Sequence, residues 1–180
     1  MDRRAIEDAL RALVVTATQL AQDRVVFAHE ALRLPETEAR AVITVGDQLN
    51  LMGVDQLTST FFAGNPAGQE FVERVDGLRE LVVSVQTFAP TPSETGVPPV
   101  TAIYLADRCQ ASLGLPSVRD ALRAGGVGVL QAGAVQRVPT VRALGYEDRA
   151  VLAVRCCVVA SAEERTGYVS TFGLESAVDA

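Results

Sequence analysis

Apolar residues first recur at helical spacing: Ile6, Leu10, Leu13, Ala17 and Leu20 share one side of a helix that begins after Asp2. Asp2 is suited to cap its first turn, and Glu7 and Asp8 suit the positive end of the helix. The period then changes. Val25 to Ala28 and Ala41 to Val45 are short β-branched stretches separated by Pro35 and the polar run Glu36 to Glu38, and they read as two strands of a meander. From Gly46 to Gly77 the pattern weakens. Phe61, Phe62 and Val72 lie in polar, glycine-rich surroundings with a turn signal at Gly64, Asn65, Pro66 and Gly68. Residues 53–77 are therefore expected to form an exposed irregular loop or a long hairpin. Two adjacent phenylalanines there either anchor the loop to its own domain or insert into a neighbouring subunit.

The clearest strand is Leu81 to Phe88, where Leu81, Val83, Val85 and Thr87 alternate with Val82, Ser84, Gln86 and Phe88. One face reads as core and the other as mixed. The proline-studded PTPSETGVPP that follows predicts a second irregular passage over 89–99. Ala102, Leu105, Ala106, Cys109 and Leu113 then line one face of a helix expected to stop near Gly114. Ser117 is expected to cap a second helix, with Asp120 completing an approximate capping box and Gly125 and Gly126 ending it. Strands are predicted at Val127 to Gln131, Val135 to Val138 and Arg149 to Ala160. In the last, Ala150, Leu152, Val154, Cys156, Val158 and Ala160 make an unbroken apolar face. A final stretch, Gly167 to Leu174, is expected to fold back on that strand through a turn at Glu163 to Thr166.

Strands interrupted once by a helix pair predict an α+β fold, with a mixed or antiparallel sheet packed against the N-terminal helix and the central pair. The 180 residues read as one domain, long enough to bury about 70% of the unfolded surface. With 48% hydrophobic residues the chain is slightly more apolar than an average domain, and part of the surplus is available to a partner subunit. No window approaches a membrane span, and the acidic residues of MDRRAIEDAL do not suit a signal peptide, so a cytoplasmic origin and no membrane partner are expected. The net charge of −6 argues against a surface built to grip phosphate. Every basic residue is arginine.

Candidate chemistry is sparse. His29 is the sole histidine, and neighbouring Ala28 and Glu30 supply neither nucleophile nor metal pattern. Cys109, Cys156 and Cys157 are an odd number of thiols; the adjacent pair falls in a β pattern that sends its members to opposite sides of a sheet, away from joint chelation. GGVGVL, at Gly125 to Leu130, follows a helix and precedes a strand, the reverse of a phosphate-binding loop. The acidic pairs Glu7/Asp8 and Glu163/Glu164 are sequence neighbours, better read as solvated faces than as converging carboxylates. No catalytic, cofactor-binding or metal-binding residue is assigned.

Three segments together carry a family likeness: RELVVSVQTF (Arg79 to Phe88), SVRDALRAGGVGVLQAGAVQRVP (Ser117 to Pro139) and YEDRAVLAVRCCV (Tyr146 to Val158). In this order the chain resembles the phage neck terminator family, related in fold to the tail terminators of long-tailed phages. MDRRAIEDALRALV and AVITVGDQ are also similar to that family's first helix and early strand. The chain departs from the pattern at Pro90 to Pro99, where a shorter passage into the helix is expected. The resemblance implies a tail-terminator-like α+β fold and a hexameric ring at the head-tail junction of the virion, assembled in the bacterial host cytoplasm. The ring would stop tube growth and join tail to head. The partners it implies are identical copies, the tail tube protein, a head-tail connector or adaptor and, in a contractile tail, the sheath. DNA passes through the lumen without specific binding, and an acidic lumen would keep it from sticking.

Alternatives are a neighbouring neck adaptor or head-completion protein, a small cytoplasmic enzyme using His29 or a cysteine, and an oligomeric binding module. For an interface between subunits the candidates are Phe61, Phe62, Asn65, Arg137 and Arg155, since aromatic residues and arginine are enriched in interface cores.

Overall fold

A computed structural model describes residues 2–30, 38–46, 49–62, 70–90, 100–138, 140–142 and 145–167. The first helix, α1 (Arg3–Thr18), forms as its periodicity predicts. The Asp2 side chain accepts hydrogen bonds from the amides of Arg4 and Ala5, at 3.0 and 3.3 Å, filling two of the unpaired donors of the first turn. Gln19, at φ 58°, ends it in the left-handed conformation. Ile6, Leu10, Leu13, Val14 and Ala17 are buried.

Strands β1 (Val25–Phe27), β2 (Arg40–Val45), β3 (Asn50–Leu51), β4 (Gln56–Phe62) and β5 (Glu70–Ala89) follow. Helices α2 (Ala102–Ser112) and α3 (Pro116–Ala124) come next, then β6 (Val127–Ala132), β7 (Gln136–Arg137), β8 (Thr140–Arg142) and β9 (Gly145–Gly167). The main sheet has the order β1-β2-β5-β9-β6, with β3 and β4 further along β5 and β7 and β8 further along β9. All pairs are antiparallel except β1 with β2, which makes the sheet mixed and the fold α+β. β1 and β2 thus do not form the expected meander. Both are almost wholly buried at their paired positions, and such uniform apolar runs carry no information about direction.

One face of the sheet carries the helices. Ala41 and Ile43 of β2, Leu81, Val83 and Val85 of β5, and Leu152, Val154, Cys156 and Val158 of β9 meet Leu10, Val14, Cys109, Leu113 and Leu122 in one continuous core. Burying each large side chain stabilises the fold by about 1.5–3 kcal/mol relative to exposure. Two polar contacts pin α2 to the sheet: the Thr87 hydroxyl donates to the Ala102 carbonyl at 2.7 Å, and the Ala102 amide donates to Asp148 Oδ2 at 2.8 Å. Thr101 caps the same helix through the Tyr104 amide. α3 starts one residue before the expected cap: Leu115 precedes it and Pro116 occupies the first turn, where a proline costs no hydrogen bond. Gly125 ends α3, and Gly126, at φ 80°, turns the chain into β6.

Residues 53–77, expected as a loop or a long hairpin, include both strands of a hairpin, β4 and the start of β5. No turn interrupts β9 at 163–166; the strand runs on to Gly167, and residues 168–174 lie outside the described residues. Residues 91–99 also lie outside them.

Candidate functional site

β5 and β9 are 20 and 23 residues long, far beyond the five or six of an ordinary strand. They pair without interruption from Ala89 and Asp148 to Glu70 and Gly167. The helices cover only the half from Leu81 to Ala89. Beyond it, β4, β5 and β9 continue as a three-stranded arm in which Leu57 is 62% exposed although it shares the helix side with Val75.

Among the described residues no helix covers the opposite face. Along β9, Ala150, Leu152, Val154, Cys156 and Val158 are buried while Ala153, Arg155 and Val159 are exposed and Val151 and Cys157 half-buried. On that open face Leu78 pairs with Val159 and Val82 with Arg155, and Leu78, Val82 and Val159 are 48%, 42% and 48% exposed. Large apolar side chains set side by side on a bare sheet face mark an interaction surface better than scattered ones do.

Arg155 lies in the middle of this patch. Its guanidinium grips Glu80 with two nitrogens, Nη2 lying 3.1 Å from Oε2, and Nη1 reaches Gln131 Oε1 at 3.4 Å. These donors hold the Glu80 carboxyl below its ordinary range. The pair neutralises both charges, so the patch presents apolar side chains around a closed ion pair. Further along the face the ring of Phe88 is buried between the guanidinium groups of Arg40 and Arg149, 4.6 and 5.6 Å from its centroid. Arg40 also forms a buried ion pair with Glu147. That end is fixed; the Leu78 to Val82 end is open.

The arm carries its own charge ladder. Arg74 bridges Asp76 at 2.9 Å and Glu163 at 3.5 Å, and Arg79 donates to Asp55 at 2.6 and 2.8 Å. The hydrogen bonds from Ser161 and Arg74 lower the Asp76 carboxyl, and that from Arg79 lowers Asp55. The Asp55–Arg79 pair lies across Gly77, where an added Cβ would fall 2.0 Å from Asp55 Oδ1. A side chain at this position would push the ion pair aside.

Of the five expected interface residues, the two arginines lie on opposite sides of the sheet. Arg155 is on the open face. Arg137 pairs with Ala150, which puts it on the helix side of the sheet, where its Nε donates to Asp148 Oδ1 at 3.0 Å. Phe61 and Phe62 occupy the last two positions of β4, opposite Phe71 and Glu70. Asn65 lies outside the described residues. The exposed Leu78, Val82 and Val159 were not singled out from sequence, although the mixed second face of Leu81 to Phe88 pointed toward them.

The residues available for chemistry are scattered. His29 stacks on Phe27, its Nε2 3.8 Å from Glu7 Oε2. Cys156 and Cys109 are buried in the core, where desolvation pushes both thiols up to about 12, and Cys157 is on the other face. Among the described residues no cluster of His, Cys, Asp and Glu is arranged to hold a metal, and no helix is long and apolar enough to cross a membrane. The groove between α1 and α3 is lined by Ala9, Ala12, Thr16, Ser117, Val118 and Ala121 and holds no titratable side chain.

Residues 4–177 match the family model described as phage neck terminator protein. The chain belongs to the phage neck terminator family. No curated protein matches it. As a neck terminator protein it has a structural role in the phage neck, and an open sheet face with a projecting arm is the surface the fold offers to that role.

Proposed function

We propose that the protein terminates the tail at the head-tail junction, as one of six copies in a closed ring that caps the tail tube and joins it to the capsid connector. The observation that carries this reading is the division of the sheet. One face is covered by helices from Leu81 to Ala89, while the other bears Leu78, Val82 and Val159 around the closed Arg155–Glu80 pair, and both continue into the arm. A head-to-tail ring needs two different complementary patches on each subunit. The open face is one such patch, and the arm reaches away from the body toward a neighbour. Tail tube, connector and, in a contractile tail, sheath are then the partners of the two ring surfaces, and DNA passes through the hole unbound. A net charge of −6 suits that passage.

Electron micrographs of particles made without this protein test the proposal. Overlong or headless tails are expected; normal virions would reject termination. The mass of the purified protein followed over concentration tests the ring, with a six-subunit species expected at high concentration or on tail tubes. Arginine in place of acidic residues lining the hole is expected to slow DNA ejection, and unchanged ejection kinetics would remove the lumen argument.

A further inference from the structure

The arm has two open edges among the described residues. β4 pairs with β5 alone, and β9 beyond Val158 also pairs with β5 alone, because the β6 ladder ends at Val127 opposite Val158. The edges lie level with each other. One cross-strand row joins Gln56, Asp76 and Ser161, and another joins Phe62, Glu70 and Gly167. Both outer strands run antiparallel to β5, so they run parallel to each other.

Exposed edges are a hazard that proteins ordinarily blunt with Lys, Pro, a bulge or shortness. β4, QLTSTFF, is seven residues long with no charge and no proline, and its pairing with β5 is regular throughout. Such a strand is built to be covered. Among the described side chains of the arm, Arg74 and Arg79 are both engaged by carboxylates of the arm itself. What the arm offers is backbone, and the partner it fits is another strand.

The chain itself supplies that strand. Copies related by rotation about an axis along the arms present every arm in the same sense, with β4 of one copy beside β9 of the next. Those strands already run parallel. Pairing β9 with another β9 would join only two copies and leave both β4 edges bare, whereas β4 carries no charge to oppose Glu163. Pairing β4 with β4 would close a dimer and leave the β9 edge bare.

Resting on the ring reading, we propose that the free edge of β4 joins, strand to strand and in parallel, the 159–167 edge of β9 in the adjacent copy. The arms then form one continuous sheet around the hole.

Engineered disulfides test this. Within one copy β4 and β9 are separated by β5, about 10 Å apart at two strand spacings, beyond the ~7 Å that a disulfide spans. Thr58→Cys is combined in turn with Val159→Cys, Ser161→Cys and Glu163→Cys in full-length Cys157→Ser protein. These positions share one face with Thr58, and Arg165→Cys and Gly167→Cys as further partners complete the parallel registers along 159–167. On oxidation of the assembled ring, one combination is expected to give a covalent ladder up to ring size, with the cross-link mapped between β4 and β9. The reduced variants are expected to melt like the parent. A ring by mass in which no combination cross-links would overturn the edge pairing and leave the ring reading standing. Dimers from Thr58→Cys alone would overturn it in favour of β4 with β4. Protein that never assembles, in solution or on tails, would overturn the ring reading and the pairing together.

Discussion

The two halves of the β5–β9 ladder share strands, hydrogen bonding and register, yet they are stabilised differently. From Leu81 to Ala89 and Asp148 to Val158, alternate side chains disappear under helices, and stability comes from apolar burial. From Glu70 to Leu78 and Val159 to Gly167 no helix among the described residues covers either face, and Arg74 meets Asp76 along its own strand and Glu163 across strands in ion pairs. Exposed pairs of this kind are screened by water and contribute little to stability. The first half is therefore a folding unit, while the second is an extension carried by it.

Breaking the comparison begins with the buried Arg40–Glu147 pair beside Phe88. Glu147→Ala leaves a buried guanidinium without this carboxylate, and thermal or denaturant unfolding is expected to show a loss of about 3–5 kcal/mol. Next, Leu152→Ala, in the covered half, removes a fully buried side chain and is expected to cost about 2–5 kcal/mol. Val159→Ala, in the bare half, is expected to change stability by less than about 0.5 kcal/mol while weakening assembly measured by mass. Equal losses of stability at the two positions would erase the distinction between the halves. The smallest effect sharpens the comparison. Arg155→Ala is expected to leave the melting temperature nearly unchanged and to raise the Glu80 titration, followed by carboxyl NMR, toward its ordinary 4.5. Because the folded-state value of Glu80 is depressed, the pair's contribution is present above that ordinary value and is lost as pH falls through the folded one. The contribution, small for so exposed a pair, is therefore whole at neutral pH and disappears only in acid.

The covered half was the legible one. The spacing of Ile6, Leu10, Leu13 and Ala17 set out α1, and the alternation in Leu81 to Phe88 and Ala150 to Ala160 marked both central strands and their buried sides. The split of Cys156 and Cys157 between faces followed from the same alternation. Hydrophobic periodicity reports burial, and the arm has little to report. Its strands alternate nothing against a core, so Glu163 to Thr166 read as a turn although β9 passes straight through. Strand direction was likewise invisible in β1 and β2. Among the interface candidates, Arg155 could be placed on a strand but its engagement with Glu80 could not, because that contact spans 75 residues of sequence. Arg137 is held by Asp148 for the same kind of non-local reason.

β5 passes from covered to bare half without a bulge in its register with β9. The projection is accordingly a lever with no hinge at its root. The same two strands run unbroken from the arm to the segment that carries Thr87 and Phe88, where α2 is fastened and the arginine stack is seated. Whatever holds the arm is thereby joined through backbone alone to the strands on which the helical layer rests.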